Sequence, residues 1–211
     1  MKKIFLTIDD GPSPYFNELL NYLIKNNHKA IFFCRGSNLE DLTNQKLVVK
    51  AIKKGFIIGN HSYSHPNFNR ISFREAKDQI IKTDGLIKKL YTKAGVTQPL
   101  KIFRFPYFKS GMLNFWRLQK LLRNMGYKNP YYYDYPFLFR LIKGKYDLYC
   151  TLDPKDYSNK TTQNIILSRI KNAKPNDIID LHDQQYSVKY LIKPICEYLS
   201  SNGFVLTIQK S

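Results

Sequence analysis

The fold of this 211-residue chain is decided by residues 3–12, which read Lys3-Ile4-Phe5-Leu6-Thr7-Ile8-Asp9-Asp10-Gly11-Pro12. The apolar run has the length of a buried strand, and a carboxylate pair with a Gly-Pro turn ends it. The run is too short for the apolar core of a signal peptide, although two lysines precede it. We therefore predict a strand over Lys3–Ile8 that presents Asp9 and Asp10 at its carboxyl end.

The rest of the chain alternates between apolar runs and helical patterns. Further strands are predicted at Ala30–Cys34, Phe56–Gly59, Lys101–Arg104, Asp147–Leu152, Asp177–Leu181 and Phe204–Ile208. Helices are predicted between them at Asn17–Lys25, Gln45–Lys54, Ser72–Lys93, Leu113–Met125, Gln163–Ala173 and Val188–Ser201. This alternation is typical of an α/β fold with a parallel sheet and right-handed crossovers. About seven such units would close, or nearly close, into a single-domain β/α barrel over residues 1–211.

The composition is that of an ordinary globular domain, with 43% hydrophobic and 24% charged residues. No apolar run approaches the roughly 20 residues that span a bilayer. With three scattered cysteines and no export signal, we expect a cytoplasmic protein. The formal net charge of +18 is spread along the chain without a basic block, so we attribute it to composition and expect no nucleic-acid partner.

Ionisable side chains stand at the carboxyl ends of five predicted strands, where parallel sheets and barrels collect their chemistry. Three of the four histidines are among them. The set consists of Asp9 and Asp10 after the first strand, His61 and His65 after the third, Arg104 at the end of the fourth, Asp153 and Asp156 after the fifth, and His182 at the end of the sixth.

His61 and His65 stand four positions apart, a spacing that puts two imidazoles one helical turn apart and facing a common point. Alone, this spacing is more typical of a structural helix, and the Asp9-Asp10 pair alone fits a solvated turn. Together, imidazole and carboxylate suit zinc or a similar first-row ion, and three protein ligands leave a position for water. We therefore predict a divalent ion on Asp10, His61 and His65.

Asp9 is free for a different task if Asp10 binds the ion. It can accept a proton from a water molecule whose acidity the ion raises. A guanidinium would keep Asp9 ionised and fixed, and Arg104 is the candidate. His182 suits a second proton transfer, to a departing nitrogen or oxygen. Taken singly, Arg104 also fits a surface ion pair and His182 a hydrogen-bonded barrel histidine.

Five motifs, in order along the chain, resemble those of the polysaccharide deacetylases, which form carbohydrate esterase family four and share the chitooligosaccharide deacetylase homology domain. They are Thr7-Ile8-Asp9-Asp10-Gly11-Pro12, His61-Ser62-Tyr63-Ser64-His65, Arg104-Phe105-Pro106-Tyr107, Asp153-Pro154-Lys155-Asp156-Tyr157 and Ile178-Ile179-Asp180-Leu181-His182-Asp183. The resemblance covers nearly the whole chain. It implies a distorted β/α barrel of the deacetylase type and hydrolysis of N-acetyl groups on amino sugars.

The resemblance also assigns roles by motif. It implies that Asp9 is the general base, that Arg104 holds Asp9, and that the metal ligands are Asp10, His61 and His65.

The later motifs add three further roles. The resemblance implies that the backbone amide of Tyr107 helps to stabilise the oxyanion, that His182 is the general acid, and that Asp156 tunes His182.

Two substrate-site residues depart from the family's pattern. Tyr157 stands where the family usually has tryptophan, and Asp180 stands two residues before His182, where a leucine usually lines the pocket for the acetyl methyl. A carboxylate against a methyl group is poorly solvated unless it is paired. We hypothesise that Asp180 turns away from the pocket, or that the acyl or sugar site is altered.

Residues 127–146 form a segment that looks longer than the family needs, an aromatic and basic insertion. It contains Tyr131, Tyr132, Tyr133, Tyr135, Phe137 and Phe139, followed by Arg140, Lys143 and Lys145. Two functional interpretations are open, since aromatic faces stack on sugar rings, and aromatic and basic residues together suit a membrane surface. The structural alternative is that these aromatic residues pack under a long loop. A partner at the inner membrane face, either the anionic membrane surface or a lipid-linked sugar, would account for three features together. These are the positive net charge, the aromatic residues of 127–146 and the expected cytoplasmic location.

The sequence therefore predicts a metal-dependent hydrolase that removes an N-acyl group from an amino sugar in a glycan, oligosaccharide or lipid-linked sugar. We expect this group to be N-acetyl before any other. A hydrolase of a non-sugar amide, a carbohydrate-binding protein that has lost the chemistry, and a metal-dependent phosphoester hydrolase are also compatible with these residues. We expect Zn²⁺ as the ion, ahead of Co²⁺ or Ni²⁺, since ligand type alone does not separate them. The sequence leaves the sugar, the acyl group and the oligomeric state open.

Overall fold

The fold is built around a parallel sheet, and the computed structural model describes residues 2–157 and 162–208. Five strands lie within these ranges, namely β1 (Lys2–Asp9), β2 (Ile31–Cys34), β3 (Ile57–Asn60), β4 (Ile178–His182) and β5 (Phe204–Thr207). Their hydrogen-bonded order is β3-β2-β1-β4, and β5 pairs with the first residues of β1. The predicted domain, 1–211, also includes residues 1, 158–161 and 209–211, which lie outside the described residues.

Helices connect the strands, as the alternating pattern predicts. The described residues contain α1 (Phe16–Lys25), α2 (Leu42–Lys53), α3 (Phe73–Ala94), α4 (Phe115–Asn124), α5 (Phe137–Ile142), α6 (Gln163–Ile170) and α7 (Ile192–Ser201). The six predicted helices are confirmed with shifted ends, and the short α5 was not predicted. The start of the last predicted helix is wound as a π-helix over Ser187–Leu191.

The longest helix, α3, shows why these boundaries form. Ser72 accepts a hydrogen bond from the backbone N–H of Glu75, and the Glu75 carboxylate accepts one from the backbone N–H of Ser72. This capping box satisfies backbone donors that a helix start leaves unpaired. Gly95 ends the helix in the left-handed conformation that glycine adopts without steric cost.

The predicted strand Lys101–Arg104 is wrong as a strand. It makes one isolated parallel bridge, Asn60 to Phe103, and the backbone N–H of Arg104 donates to the Asn60 carbonyl at 3.1 Å. Pro106 follows two residues later and has no N–H to continue a ladder, so the pairing stops there.

The predicted strand Asp147–Leu152 is also wrong as a strand, since it makes only the isolated bridge Leu152 to Ile179. The hydroxyl of Tyr135 accepts from the Tyr149 backbone N–H at 3.0 Å and donates to the Tyr149 carbonyl at 2.8 Å. One side chain thus takes both backbone hydrogen bonds that a neighbouring strand would take.

These two irregular segments nevertheless complete the barrel. The backbone N–H of Leu148 donates to the Phe103 carbonyl at 2.8 Å, which links the two segments to each other. Backbone contacts therefore run from β3 through both segments to β4. The distorted barrel of the α/β class is confirmed, with five strands among the described residues rather than about seven.

Alternation along β1 separates the helix-packed face of the sheet from the barrel interior. Ile4, Leu6 and Ile8 belong to the apolar cluster that also contains the buried faces of α1, α2 and α7. Phe5 belongs to a second cluster, shared with segments that close the barrel. Because side chains alternate along a strand, the residues at odd positions, including Asp9, face the interior.

Within the described part of the chain, no helix combines the length and the hydrophobicity that a membrane crossing requires.

Candidate active site

The predicted site residues come together at the rim where the strands end. Asp9 is the last residue of β1, His61 follows β3 directly, and His182 is the last residue of β4. Arg104 lies in the bridged segment beside β3. Asp9 and His182 are register partners on neighbouring strands, so the predicted base and acid share one edge of the sheet.

Arg104 is fully buried at the centre of this rim. Its Nη1 donates to Asp9 Oδ1 at 2.8 Å, to Thr7 Oγ1 at 2.8 Å and to Asp180 Oδ1 at 2.6 Å. The guanidinium carbon lies 4.4 Å from the centre of the Phe33 ring, which supports it from one side. A buried cation needs charged partners of this kind, so the surface ion pair that the sequence also allowed does not describe Arg104.

The three predicted metal ligands form a tight group. His65 Nε2 lies 3.1 Å from His61 Nε2 and 3.2 Å from Asp10 Oδ1, and His61 Nε2 lies 3.8 Å from the same Asp10 oxygen. His61 Nδ1 donates to the Arg104 carbonyl at 2.9 Å, because a carbonyl oxygen can only accept. That hydrogen bond fixes the tautomer in which His61 Nε2 carries a lone pair and points at the group.

The chemistry of this donor set fits a divalent cation. Asp10 Oδ1 is buried and has no hydrogen-bond partner within the described residues. Burial lowers the pKa of His61 to about 3, so this imidazole is neutral at physiological pH. Burial also lowers the pKa of His65. The two imidazole nitrogens and the carboxylate oxygen converge on one point. Neutral imidazole and carboxylate are the ligand types that bind zinc and similar ions.

The segment from His61 to His65 is a loop and not the helical turn that the spacing suggested. The Asn60 side chain accepts from the Ser62 backbone N–H at 2.9 Å, and the Gln79 side chain accepts from the Ser64 backbone N–H at 2.8 Å. These contacts turn the chain so that both imidazoles still face one point.

Three site residues adopt left-handed backbone conformations, which non-glycine residues rarely do. Their φ angles are 69° at Asp10, 62° at His65 and 55° at Tyr107. Such strain persists only where the surroundings hold the residue, and it concentrates at functional sites.

His182 is held from behind by Asp156, as the resemblance implies. Asp156 Oδ1 accepts from His182 Nδ1 at 2.7 Å, and Asp156 Oδ2 accepts from the His182 backbone N–H and from Ser187 Oγ. Burial acts to lower the pKa of His182, but the hydrogen bond to Asp156 and the nearby Asp180 and Asp9 outweigh it and raise the pKa to about 10. His182 is therefore a protonated imidazole that can give a proton from Nε2.

The two aromatic residues predicted at the substrate site each pack against a histidine of the site. The Tyr107 ring is 60% exposed and packs edge-on against His65, with 4.5 Å between ring centres. The Tyr157 ring is 48% exposed and packs edge-on against His182 at 4.9 Å. Its hydroxyl donates to Asp153 Oδ2 at 3.2 Å, a contact that tryptophan at this position could not make in the same way.

Asp180 faces the site and does not turn away. It is buried and lies on the same face of β4 as His182, two residues on, and pairs with Arg104. Burial and the neighbouring charge of Asp9 raise the pKa of Asp180, and Arg104 opposes this. Burial likewise raises the pKa of Asp9, against the opposing effects of Arg104 and His182.

Sequence reasoning assigned no role to two residues that organise the site. The Thr7 hydroxyl accepts from Arg104 and donates to the Ile179 carbonyl at 2.7 Å. Ser187 Oγ donates to Asp156 at 2.6 Å. Thr7 could have been found, since it stands two residues before Asp9 on the same strand face, whereas nothing in the sequence marks Ser187.

The aromatic residues of 127–146 divide between packing and exposure. Tyr131 and Tyr135 are buried in the barrel-interior cluster, as expected for packing under a long loop. Tyr133 and Phe137 are largely exposed. The segment therefore both closes the barrel and presents aromatic rings to solvent.

Comparison with known proteins agrees with this geometry. Residues 1–130 match the family model for polysaccharide deacetylase. A peptidoglycan-N-acetylglucosamine deacetylase of Bacillus cereus is 40% identical over 106 residues, which are 50% of this chain and 36% of that protein. A second Bacillus cereus protein of that name is 30% identical over 183 residues, 86% of this chain and 73% of that protein. This chain therefore spans little more than a third of the first relative's length.

A solved structure shares the fold. The family 4 carbohydrate esterase from Streptomyces lividans, in complex with acetate, superposes with a TM-score of 0.76 at 23% identity, over 99% of this chain and 93% of that one. With a family model that matches more than half of its residues and a relative that aligns over 86% of it, this chain belongs to the polysaccharide deacetylase family.

Proposed function

We propose that this chain is a hydrolase of carbon–nitrogen bonds other than peptide bonds, which removes an N-acyl group from an amino sugar. The leading candidate for this group is N-acetyl. The observation that carries the proposal is the position of Asp9. Its Oδ1 is held by Arg104 at 2.8 Å, and its Oδ2 lies 3.4 Å from His61 Nε2 in the ligand group. The names of the two Bacillus cereus relatives, both N-acetylglucosamine deacetylases, support an amino-sugar substrate.

Each site residue has a proposed task. Asp9 takes a proton from the attacking water, and its raised pKa makes it a better base near neutral pH. Arg104 fixes the Asp9 carboxylate. His182 gives its Nε2 proton to the departing nitrogen, while Asp156 keeps the ring oriented. The backbone amide of Tyr107 stabilises the negative charge that develops on the amide oxygen.

Asp10, His61 and His65 are the residues that would hold the divalent ion. When bound, such an ion polarises the amide carbonyl and lowers the pKa of the attacking water. Two imidazoles and a carboxylate suit Zn²⁺, with Co²⁺ and Ni²⁺ as the other members of the proposal. Elemental analysis of the purified protein identifies the ion.

An acetate-release screen tests the function. The substrates are chitooligosaccharides, peptidoglycan fragments, and lipid- or nucleotide-linked N-acetylhexosamines. We expect release that needs the ion, and an Asp9→Asn variant that keeps the ion but loses about 10³-fold in rate, since the proton acceptor is gone.

Three different results would each contradict an amino-sugar deacetylase. A protein that binds the ion and sugar without release from any N-acyl substrate would instead be a carbohydrate-binding protein. Release only from a non-sugar amide would make it an amide hydrolase of a different substrate class. Metal-dependent cleavage of nucleic acid without acetate release would make it a phosphoester hydrolase.

The partner and location proposed from the sequence are an anionic membrane surface or lipid-linked sugar, at the cytoplasmic face of the membrane. Support comes from large apolar side chains that are left exposed, among them Leu113 at 98% and Leu138 at 75%. Basic residues stand near them in sequence. Flotation with anionic vesicles at low salt tests this part, and a protein that stays unbound there overturns it. A single catalytic domain over residues 1–211 belongs to the same proposal.

A further inference from the structure

A second concave site lies away from the catalytic rim. It is a pocket of about 470 Å³ between α4 on one side and residues 132, 140 and 143–146 on the other, and we call it the basic pocket. This volume falls within the ~300–1,000 Å³ range of small-molecule sites in proteins. Its walls carry four aromatic rings, from Phe115, Trp116, Tyr132 and Tyr146. Aromatic faces of this kind stack against the apolar faces of sugar rings.

The basic pocket is lined by five cationic side chains from two separate stretches of the sequence. They are Lys120 and Arg123 on α4, together with Arg140, Lys143 and Lys145. No acidic residue is among the described residues that line it. Arg140 Nε is buried and has no hydrogen-bond partner within the described part of the chain. An anionic group that enters this pocket would meet several donors and a concentrated positive potential.

The floor of the basic pocket is fixed by buried polar contacts. Gln119 Nε2 donates to Asp147 Oδ1 at 2.6 Å, and Gln119 Oε1 accepts from the Tyr146 backbone N–H at 3.1 Å. These hydrogen bonds tie α4 to the segment after α5. The pocket is therefore built between two anchored elements and does not depend on one loop.

A shallow recess leads from the basic pocket towards the catalytic rim. The recess, of about 300 Å³, shares Phe115 and Trp116 with the pocket and extends to Phe108. Phe108 is next to Tyr107, whose ring contacts His65. The Phe108 ring also lies 5.4 Å from the guanidinium carbon of Arg104, so the recess runs from the basic pocket to residues that border the catalytic rim.

We propose that the basic pocket binds a carboxylate-bearing sugar of the same glycan whose N-acyl group reacts at the rim. This rests on the proposed function and adds a substrate class to it, an acidic glycan. Aromatic walls and cations together recognise an anionic saccharide, because the rings stack on the sugar while the cations pair with its carboxylate. The concave shape and the recess favour this ligand over a flat lipid surface.

Trp116 makes the proposal directly measurable, since it is the single tryptophan of the chain. Its fluorescence reports on occupancy of the pocket without any need for turnover. The probe is a tetrasaccharide of alternating N-acetylglucosamine and N-acetylmuramic acid, with free carboxylates or as methyl esters, titrated into the ion-loaded Asp9→Asn protein. We expect the free acid to bind about tenfold more tightly than the ester at low salt.

Charge-removal variants locate the binding. Lys120→Gln with Arg123→Gln should weaken binding of the acid about fivefold or more and leave the ester unchanged. The matched control, Lys53→Gln with Lys77→Gln, removes the same charge from exposed positions on α2 and α3 and should bind the acid like the parent. If the first variant fails to fold, Lys143→Gln with Lys145→Gln is measured in its place.

Three outcomes overturn the proposal. They are equal affinity for acid and ester, an equal loss in the control variant, and a Trp116 response to phosphatidylglycerol vesicles but not to the glycan. The proposed function is tested separately, because acetate release from neutral chitooligosaccharides does not depend on the basic pocket.

Discussion

Asp180 Oδ1 lies 2.6 Å from Arg104 Nη1, the same guanidinium nitrogen that donates to Asp9 at 2.8 Å. The residue that replaces the family's usual leucine is thus held by the group that holds the proposed base. Burial and the charge of Asp9 raise the pKa of Asp180, and the ion pair with Arg104 opposes this. The oxygens of this carboxyl group, at the edge of an acyl site, can accept a hydrogen bond from a polar acyl group.

Exchange of Asp180 for leucine should change acyl specificity. We expect Asp180→Leu to shift the ratio of kcat/KM towards N-acetyl and against N-glycolyl glucosamine oligomers by about tenfold, since one hydrogen-bonding group is lost. Steady-state kinetics on the two substrates measure this ratio. Asp180→Asn keeps a polar group and serves as the control with a smaller change. A ratio that stays the same in both variants contradicts a role for Asp180 in the acyl site.

Removal of the charge behind His182 should move the alkaline limit of activity. The hydrogen bond and charge of Asp156 raise the pKa of His182, so Asp156→Asn lowers it, and the acid loses its proton at a lower pH. We expect the alkaline limb of the kcat/KM profile to fall by about one pH unit or more, with a roughly 10–100-fold loss in kcat.

Ser187→Ala is the matched control for this variant. It removes a hydrogen bond to Asp156 but leaves the carboxylate charge in place. Its alkaline limb should stay within about half a pH unit of the parent. A limb that does not move in Asp156→Asn would argue against His182 as the acid.

Loss of a ligand should abolish ion binding and the stability that comes with it. We expect close to one ion per chain in the parent protein and little in His65→Ala, which lacks one of the three ligands. At about 100 times the dissociation constant, the ion adds ~2.7 kcal/mol of stability, equivalent to a rise of roughly 5–10 °C in Tm.

His28→Ala is the control, because His28 is the one histidine away from the rim. It should keep the ion and the rise in Tm, as shown by elemental analysis and thermal unfolding. Equal loss of the ion in both variants would remove the argument for a site at His65.

Asp147 should make the protein less stable as the pH rises. Burial raises its pKa from 3.8 to about 6 in the folded chain, against the hydrogen bond from Gln119. The folded state therefore binds this proton more tightly than the unfolded state. The resulting stabilisation is present below about pH 4 and is lost as the pH rises through 6, a change of about 3 kcal/mol.

Asp147→Asn cannot ionise at this position. We compare the free energy of unfolding of Asp147→Asn with that of the parent at each pH. The variant's value minus the parent's should rise by about 3 kcal/mol between pH 4 and pH 7, because only the parent loses the stabilisation. Urea unfolding at several pH values within this range measures the difference. A constant difference between the two proteins across the range would rule out a raised pKa at Asp147.

The sequence predicted the strand ends well because local patterns determine them. Apolar runs that stop at Asp9, at Asn60 and at His182 are strands whose ends meet by topology alone. The two wrong strands fail for a non-local reason. Tyr149 looks like part of a strand in sequence, yet the Tyr135 hydroxyl takes its backbone hydrogen bonds. No pattern within a short window reveals such a competitor.

The orientation of Asp180 could have been predicted, but its partner could not. Residues two apart on a strand share a face, so Asp180 must face the same side as His182. Its pairing with Arg104, 76 positions earlier, depends on how the barrel closes. The basic pocket could not be predicted for the same reason, since Lys120 and Lys145 converge only after folding.

Arg104 contacts both the ligand group and the proposed base, the first through its backbone and the second through its side chain. Its carbonyl orients His61, while its side chain grips Asp9. Any shift of this one residue would therefore disturb ion capture and proton removal at once. Asp180 accepts from the same Nη1 atom as Asp9, so a substitution at Asp180 acts on the proposed base through Arg104 as well as on the acyl site. Proton removal and acyl specificity therefore share one guanidinium group.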